Sequence, residues 1–268
     1  GRFYIDPELS IYVRDVGQKL ARVSDRPDLP YEFVVLNNSV PNAWALPGGK
    51  IAINRGLLVE LEDEAQLASV LGHEIVHAAA RHSVQRMQQG MLISAGVAGL
   101  GFALSDNEWA GLIMGGAALG AQLALAQYSQ GDELESDAYG IRYMKEAGYD
   151  PQAAVELQQL FLKLSEGRQS GWLDGLFATH PPSAKRVQEN QELVQKIGAG
   201  GYRGRDVYQR RIAKLKELQP AYDAHDEAMK LASEGKYEAA LDQVNKAIKL
   251  EPREAMFFAL RGRIYRGM

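Results

Sequence analysis

The chain has 268 residues, enough for one or two domains with a core of ordinary size. Hydrophobic residues make up 46% of it and charged residues 24%, which is typical of a soluble globular protein. The net charge of -4 argues against a nucleic-acid-binding protein, and the absence of cysteine excludes disulfides and thiolate metal ligands. Because the chain begins at Gly1, without Met or a signal peptide, we expect a processed or trimmed product.

The first part of the sequence predicts a helix followed by a small sheet. Residues 6–24 place apolar side chains at close to helical spacing. Residues 31–36 are rich in β-branched and aromatic types, which favours a strand. Short extended pieces then flank Pro47-Gly48-Gly49, a strong turn signal. We therefore expect a sheet of about three strands, whose role could be that of a scaffold alone.

The rest of the sequence is helical in pattern, with one interruption. A short helix is predicted over residues 56–62 and a long one over 64–89. A further helix over 131–147 should end at Gly148, since glycine is favoured just after a helix. Four of the seven residues at 198–204 are glycine, so this segment is a predicted linker.

The stretch His73-Glu74-Ile75-Val76-His77 lies in the long predicted helix and is the strongest chemical signal in the sequence. Four residues along a helix turn through about 400°, so both imidazoles project from one face, one turn apart. That geometry suits two nitrogen ligands on one zinc ion, while Glu74 can reach a zinc-bound water without being a ligand. The pattern predicts a zinc hydrolase with Glu74 as the general base.

The alternative is an amphipathic helix whose two histidines are solvated or satisfied within the core. The flanking residues are apolar or small, among them Leu67, Leu71, Ile75 and Ala78, so we expect a buried helix. Two adjacent buried imidazoles need partners, and one metal ion supplies a partner for both. The sequence therefore favours the metal site.

Two histidines leave a zinc site short of a ligand, and Glu133 and Asp137 are the best candidates downstream. They lie four apart on a predicted helix and share a face, so Glu133 would be the third ligand and Asp137 would fix the tautomer of a ligand histidine. Alternatively, Glu133 is only an acidic residue of a first helical turn, favoured by the helix dipole. His82 is rotated off the metal face and is expected to be structural, with Arg81 as an ion-pair partner of a carboxylate near the site.

Several stretches resemble the HtpX and CAAX-prenyl-protease type of metallopeptidases, especially the BepA-like branch with tetratricopeptide repeats. In chain order they read NAWALPGG at 42–49, GHEIVH at 72–77, RHS at 81–83, ELESDAYG at 133–140, AGYDP at 147–151, and THPP at 179–182 with Arg186. Several motifs in one order are more specific than one motif alone. The resemblance implies an α+β fold: a mainly helical, zincin-like domain with a small β-sheet. It also implies one Zn²⁺ per chain, with His73, His77 and Glu133 as ligands.

The resemblance also implies how substrate is held. Residues 45–53 would form an edge strand beside the cleft, to which an extended substrate adds through its backbone. The contacting residues would be Ala45, Leu46, Gly48, Gly49 and Ile51. His180 either caps the zinc as a fourth ligand in a resting, inhibited state or only anchors its loop. Arg186 would be a catalytic group that points toward the developing oxyanion, with Tyr139 and Tyr143 as other oxyanion donors.

Residues 91–131 are rich in glycine and alanine, and 109–131 are uncharged and long enough for a membrane span. We favour a helical hairpin or lid packed on the domain, because Gln122 and Gln127 are unfavourable in lipid. The other interpretation is peripheral membrane contact through residues 91–128, which would place the active site at the membrane surface.

The tail fits a 34-residue helix–turn–helix template, which resembles tetratricopeptide repeats. The matching positions are Ala228, Leu231, Gly235, Tyr237, Ala240, Ala247 and Pro252, after which Phe258, Gly262 and Tyr265 begin a second copy. That copy stops at Met268, so we expect the natural chain to continue. We predict a metallopeptidase domain at 1–197 and a truncated repeat segment at 205–268 that offers a groove to a protein partner. The alternative is a plain helical cap on the catalytic domain.

Together these observations predict a zinc-dependent endopeptidase that hydrolyses peptide bonds of protein substrates. By resemblance alone, its substrates would be unfolded or misassembled envelope proteins, and its location the periplasm or cell envelope of a bacterium. One rival function is a metal-stabilised chaperone or scaffold with latent proteolysis. Another is a zinc hydrolase that acts on small amides.

Overall fold

The computed structural model describes residues 3–46, 48–80, 128–167 and 173–268. Its elements are α1 (Pro7–Arg22), β1 (Glu32–Leu36), β2 (Ala43–Leu46), β3 (Lys50–Asn54), α2 (Arg55–Leu58), α3 (Glu64–Ala79), α4 (Gln130–Glu146), α5 (Gln152–Glu166), α6 (Asp174–Thr179), α7 (Ala184–Ile197), α8 (Arg205–Arg211), α9 (Ala213–Glu217), α10 (Gln219–Ser233), α11 (Tyr237–Leu250) and α12 (Ala255–Gly267). The expected mainly helical α+β architecture with three strands is confirmed. The predicted helix over 64–89 ends at Ala79, and residues 81–89 lie outside the described residues.

The sheet has the strand order β1-β3-β2, with β3 parallel to β1 and antiparallel to β2. The expectation of one edge strand over residues 45–53 is therefore wrong, because this segment is a hairpin and only its first strand lies at the edge. Ile51 belongs to the central strand, where it pairs with both Phe33 and Ala45. The hairpin turn passes through Gly48 and Gly49, whose φ angles of 88° and 94° suit glycine and few other residues.

Helix α3 runs through the centre of the domain. Its N-terminus is capped by Asp63, whose carboxylate accepts a hydrogen bond from the Gln66 amide at 2.8 Å. Leu67, Leu71 and Ile75 are fully buried, because the helix packs against α1, α4, α5 and the sheet. A helix that is covered on most sides can bury a polar side chain only where another polar group pairs with it. The histidines of α3 lie at such positions.

The tail helices α10 and α11 form an antiparallel pair, and α12 packs against both. Small residues at Ala228, Ala240 and Ala247 are fully buried in this segment, and Gly235 makes the turn with a φ of 76°. The proposed division at 198–204 into two domains stays a prediction, as does the identity of the tail as tetratricopeptide repeats.

Side chains of the tail region also contact the sheet side of the chain. The guanidinium of Arg55 stacks on the ring of Tyr222 with 3.6 Å between its Cζ and the ring centroid. Asn37 donates a hydrogen bond of 2.8 Å to Glu254, and the Tyr208 hydroxyl donates one to the carbonyl of Leu58. In this structure the tail is therefore packed on the body of the protein.

Within the described ranges, no helix is both long and apolar enough to cross a bilayer. The hairpin or lid is predicted for residues 91–131 and the membrane contact for residues 91–128. Both fall almost entirely on residues 81–127, which are outside those ranges.

Candidate metal centre and active site

The crossing of α3 and α4 brings His73, His77 and Glu133 together. The Nε2 atoms of the two histidines are 2.9 Å apart. Glu133 reaches both: its Oε1 lies 2.7 Å from Nε2 of His77, and its Oε2 lies 3.1 Å from Nε2 of His73. His77 and Glu133 are completely buried, so these two imidazoles and one carboxylate converge on one point inside the protein.

His180, at the C-terminal end of α6, completes the group. Its Nδ1 lies 3.1 Å from Oε1 of Glu133. Its Nε2 lies 3.0 Å from Oε1 of Glu74 and 3.1 Å from the carbonyl oxygen of Ala43, at the start of β2. One imidazole therefore contacts the predicted third ligand, the predicted general base and the edge strand at the same time.

Hydrogen bonds from outside this group fix the orientation of the two α3 histidines. Nδ1 of His73 lies 2.9 Å from Oδ1 of Asp137, which fits the tautomer with the proton on that nitrogen. Nδ1 of His77 lies 3.1 Å from Oγ of Ser136. In both cases the Nε2 atom is left pointing toward Glu133, as a nitrogen ligand requires.

Arg186 on α7 holds Asp137 in place. Its Nε and Nη2 atoms donate to the two carboxylate oxygens of Asp137 at 2.7 and 2.8 Å, a bidentate pair, and its Nη1 lies 3.1 Å from Oε2 of Glu133. The helix that carries Arg186 begins with Ser183, whose hydroxyl accepts from the Arg186 amide at 3.1 Å. Buried at 2% exposure, Arg186 is a positioning residue here, and its role at an oxyanion stays a prediction.

The electrostatics of the centre favour a positive charge between the ligands. Burial opposes the charged form of His73, but Glu133 and Asp137 outweigh burial and raise its pKa. Burial lowers the pKa of His77, which keeps that imidazole neutral and its lone pair available. Although burial opposes it, His73 and the other imidazoles hold the pKa of Glu133 well below its usual range, so its carboxylate is ionised.

The donor set fits a divalent transition metal. Ligand-capable atoms of His73, His77, Glu133 and His180 all lie within 4.8 Å of one another, and all four residues are buried. Tetrahedral coordination with bonds of about 2.0–2.1 Å would separate such atoms by about 3.3 Å. Nitrogen and carboxylate ligands of this kind, with no thiolate, suit zinc, so the residues present fit the ion that the sequence predicts.

Glu74 lies next to this group without being one of its members. It is 2% exposed, and its Oε2 atom has no hydrogen-bond partner among the described residues. Burial opposes its charged form, but His180 outweighs burial and lowers the pKa of Glu74, so the carboxylate is ionised and able to take a proton.

The other predicted site residues are distributed as follows. Ala45 and Leu46 lie on the edge strand β2, and Gly48 and Gly49 lie in the turn that follows it. Ile51 is fully buried in the central strand, where its neighbours on both sides are protein strands. A substrate strand could therefore add to β2 but not along Ile51.

The contacts of Tyr139 and Tyr143 are with residues outside the metal centre, and their two rings lie 6.5 Å apart, centroid to centroid. The hydroxyl of Tyr143 donates to Asp25 at 3.1 Å, and the Tyr139 side chain is exposed. Arg81 and His82 lie outside the described residues, so the ion pair expected of Arg81 and the structural role expected of His82 stay predictions.

Three contacts of the site were not predicted from the sequence. They are the Ser136 hydroxyl beside His77, the Ala43 carbonyl beside His180, and the Tyr128 ring, which stacks on His77 with 3.7 Å between the ring centroids. Ser136 could have been found, because it is three residues after Glu133 on the same helix face. Ala43 and Tyr128 carry no such signal, because tertiary packing alone brings them to the site.

Comparison with known proteins gives a family match over most of the chain. The model of peptidase family M48 matches residues 7–194. The beta-barrel assembly-enhancing protease of Yersinia pestis is 31% identical over 200 residues, which cover 72% of this chain and 40% of that protein. The mitochondrial metalloendopeptidase OMA1 of Schizosaccharomyces pombe is 34% identical over 187 residues, which cover 69% of this chain and 53% of that protein.

A third relative is the metalloprotease LoiP of Escherichia coli, 30% identical over 175 residues that cover 63% of this chain and 65% of that protein. The chain spans about 40% of the length of the beta-barrel assembly-enhancing proteases that it matches. The family match contains the α3 histidines, Glu133, His180 and Arg186. The chain therefore belongs to peptidase family M48 and is a metallopeptidase by family.

Proposed function

We propose that this protein is a zinc-dependent endopeptidase of the HExxH type. One observation carries the proposal: three imidazoles and one carboxylate meet within 4.8 Å in a buried site, beside a further ionised carboxylate. His73, His77 and Glu133 would hold the ion, and His180 would be a fourth ligand of the resting state. When bound, zinc supplies a Lewis acid that acidifies water and polarises a substrate carbonyl.

Residues of the chain would transfer the proton, orient the ligand histidine and contact the oxyanion. Glu74 takes the proton of the attacking water through its Oε2 atom and delivers it to the leaving amine. Asp137 and Arg186 keep the imidazole of His73 in the ligand tautomer. Arg186 would also approach the oxyanion as the substrate is cleaved, if its Nη1 atom leaves Glu133 and turns toward the carbonyl.

The edge strand β2 is the proposed place for an extended substrate. The Ala43 carbonyl points away from β3, since it accepts from His180. Because the backbone groups of alternate residues face the same side of a strand, those of Ala45 also face the free edge. An incoming peptide would pair with Ala45 and run past Leu46 toward Gly48 and Gly49. His180 must leave the Ala43 carbonyl and Glu74 before a substrate can use either group.

The substrates are proposed to be unfolded or misassembled proteins of a bacterial envelope. The similarity to proteins named beta-barrel assembly-enhancing proteases supports this, because transmembrane barrels of bacteria are assembled in the outer membrane. We further propose that the tail helices are tetratricopeptide repeats that bind a partner protein, supported by their small buried residues at Ala228, Ala240 and Ala247. The corresponding location is the periplasm.

The test combines metal content with cleavage. The purified protein should contain one zinc per chain, and His73→Ala should lose it. With zinc bound, the protein should cleave denatured casein but not small amides, and Glu74→Gln should keep the ion and the fold while it loses at least about 10³-fold in kcat. Casein cleavage by Glu74→Gln at the parent rate would overturn Glu74 as the general base. Absence of casein cleavage by the zinc-loaded parent would overturn the peptidase function and favour a chaperone or scaffold. Cleavage of small amides alone would overturn the endopeptidase assignment.

A further inference from the structure

A cavity of 40 Å³ adjoins the active site, with His73 and Glu74 in one part of its wall. Helices α5 and α7 supply another part of the wall. Its size corresponds to about three water molecules, so it can take the end of one side chain but not a large ring.

Most of the wall is apolar, with Leu57, Val70, Leu157, Phe161 and Leu176 among the lining residues. On the side of the active site the wall is polar, with Ser136, Asp137, His180 and Arg186 beside His73 and Glu74. Away from those residues it carries two carboxamides, Gln158 on α5 and Asn190 on α7. Cavities with an apolar wall and a few convergent polar groups are the usual form of a ligand pocket in proteins.

These two carboxamides have unpaired buried atoms. Asn190 is only 3% exposed, and its Nδ2 atom has no hydrogen-bond partner among the described residues. The same is true of the buried Oε1 atom of Gln158. A buried polar atom that makes no hydrogen bond is destabilising. Two such atoms around one cavity therefore point to a bound group that forms the missing hydrogen bonds.

The two unpaired atoms indicate the chemistry of the bound group. Gln158 offers an acceptor and Asn190 offers a donor, so the matching group both donates and accepts, as another carboxamide does. The oxygen and nitrogen of a carboxamide are hard to tell apart. If they are exchanged in both Gln158 and Asn190, one donor and one acceptor still remain. A negatively charged side chain would be repelled by the Glu74 carboxylate in the same wall, and Arg186 is already paired with Asp137.

We propose that this cavity, the carboxamide pocket, binds the side chain of the substrate residue next to the scissile bond and selects Asn or Gln there. Gln158 and Asn190 would be the specificity-determining residues, with the apolar wall around the methylene groups of the substrate side chain. The inference rests on the proposed endopeptidase function, since His73 and Glu74 border the same cavity.

The experiment measures specificity rather than activity alone. The zinc-loaded full chain is given a peptide library, and mass spectrometry of the products identifies the residues on both sides of each cut. Paired peptides that differ only by Gln, Met or Glu at the preferred position then give kcat/KM ratios. We expect kcat/KM for the Gln peptide to exceed that for the Met and Glu peptides by about tenfold or more. This should hold for the side of the scissile bond whose residue enters the pocket.

Variants then assign the preference to the pocket. Gln158→Leu and Asn190→Leu should bring the Gln-to-Met ratio close to one, and Asn190→Asp, which keeps the shape of the side chain, should also reduce it. Gln159→Leu is the matched control, because Gln159 is the exposed neighbour of Gln158 on the same helix and does not line the cavity. Its ratio should equal that of the parent protein.

A second measurement is independent of turnover. Binding of the uncleaved Gln and Met peptides to the Glu74→Gln protein should follow the same order of affinity. A parent ratio near one, a preference for Glu, or a ratio that the pocket variants leave unchanged would overturn the carboxamide pocket and leave the endopeptidase function standing. Failure to cleave any peptide would overturn both.

Discussion

Gly72 on α3 and Gly140 on α4 contact each other backbone to backbone. A Cβ atom added to Gly72 would lie 3.3 Å from the carbonyl oxygen of Gly140, and one added to Gly140 would lie 3.1 Å from the carbonyl carbon of Gly72. Gly72 precedes His73 directly, and Gly140 is three residues after Asp137. The close approach of the two helices is therefore what brings the metal-binding histidines within reach of the carboxylates of α4.

Replacing Gly140 by alanine should push α4 away from α3. We expect the free energy of unfolding to fall by about 1–3 kcal/mol, because the added methyl group meets backbone atoms that cannot rotate away. Zinc affinity should fall as well, since Glu133 moves with the helix. Urea denaturation of the metal-free protein and competitive zinc titration measure the two effects.

Gly262→Ala is the matched control for that substitution. Gly262 is also a helical glycine, but an added Cβ would meet no atom within 4 Å. Alanine there should leave zinc affinity unchanged and raise the free energy of unfolding slightly, because it is the better helix former. Equal effects of the two substitutions would show that the α3–α4 contact is not responsible.

The ion pair of Asp137 with Arg186 should make the metal-free protein sensitive to acid. Burial opposes ionisation of Asp137, but Arg186 outweighs burial and lowers its pKa to about 2. A lowered carboxyl pKa stabilises the folded state above the unfolded value of about 3.9, and that stabilisation disappears as pH falls toward 2. We expect it to amount to about 2 kcal/mol, so the difference in free energy of unfolding between parent and Asp137→Asn should shrink by that amount from pH 5 to 2.5. A difference independent of pH would contradict the ionised state of Asp137.

Arg186→Lys should weaken metal binding while the charge is kept. Lysine cannot form the bidentate pair with Asp137, so the hydrogen bond from His73 becomes less well oriented. Loss of such supporting contacts typically lowers metal affinity by about 10- to 100-fold, which a zinc competition titration resolves. Lys185→Met on the exposed face of the same helix should have no effect. Unchanged affinity in Arg186→Lys would show that Asp137 holds His73 without its help.

His180→Ala distinguishes the two roles left open for this residue. If His180 is a fourth ligand of a resting state, its removal should lower zinc affinity and raise kcat/KM, because Glu74 and the Ala43 carbonyl lose their blocking partner. Both are measured on protein of verified zinc content with a casein substrate. Lower thermal stability with unchanged zinc affinity would instead identify His180 as a loop anchor.

Tyr222→Ala should loosen the tail without disturbing the metal centre. Tyr222 is 2% exposed and stacks on the buried Arg55, so its loss leaves a cavity and an uncovered guanidinium. We expect the free energy of unfolding to fall by about 3–5 kcal/mol with zinc affinity unchanged. Tyr265→Ala, at an exposed position of α12, is the control and should be nearly neutral. Unaltered stability in Tyr222→Ala would show that the tail contributes little to the fold.

Local pattern alone predicted most of the helices and strands. Within the site it predicted His73, Glu74, His77 and the shared face of Glu133 and Asp137, whereas His180 and Arg186 came from the family resemblance. Helical periodicity predicted α1 over residues 6–24, close to its observed range. The end of α4 follows from Gly148, which is a local signal. The pairing of His73 with His77 follows from helix geometry, because one turn separates them whatever the rest of the chain does.

Tertiary structure alone decided which distant residues meet. Nothing local places Ile51 in the central strand and β2 at the edge, since strand order depends on how the sheet packs as a whole. The bidentate contact of Arg186 with Asp137, 49 residues away, and the Ala43 carbonyl beside His180, 137 residues away, are of the same kind. Sequence spacing fixes side-chain direction only within an element, whereas contacts between elements depend on backbone approach, as at Gly72 and Gly140, and on burial that no single segment encodes.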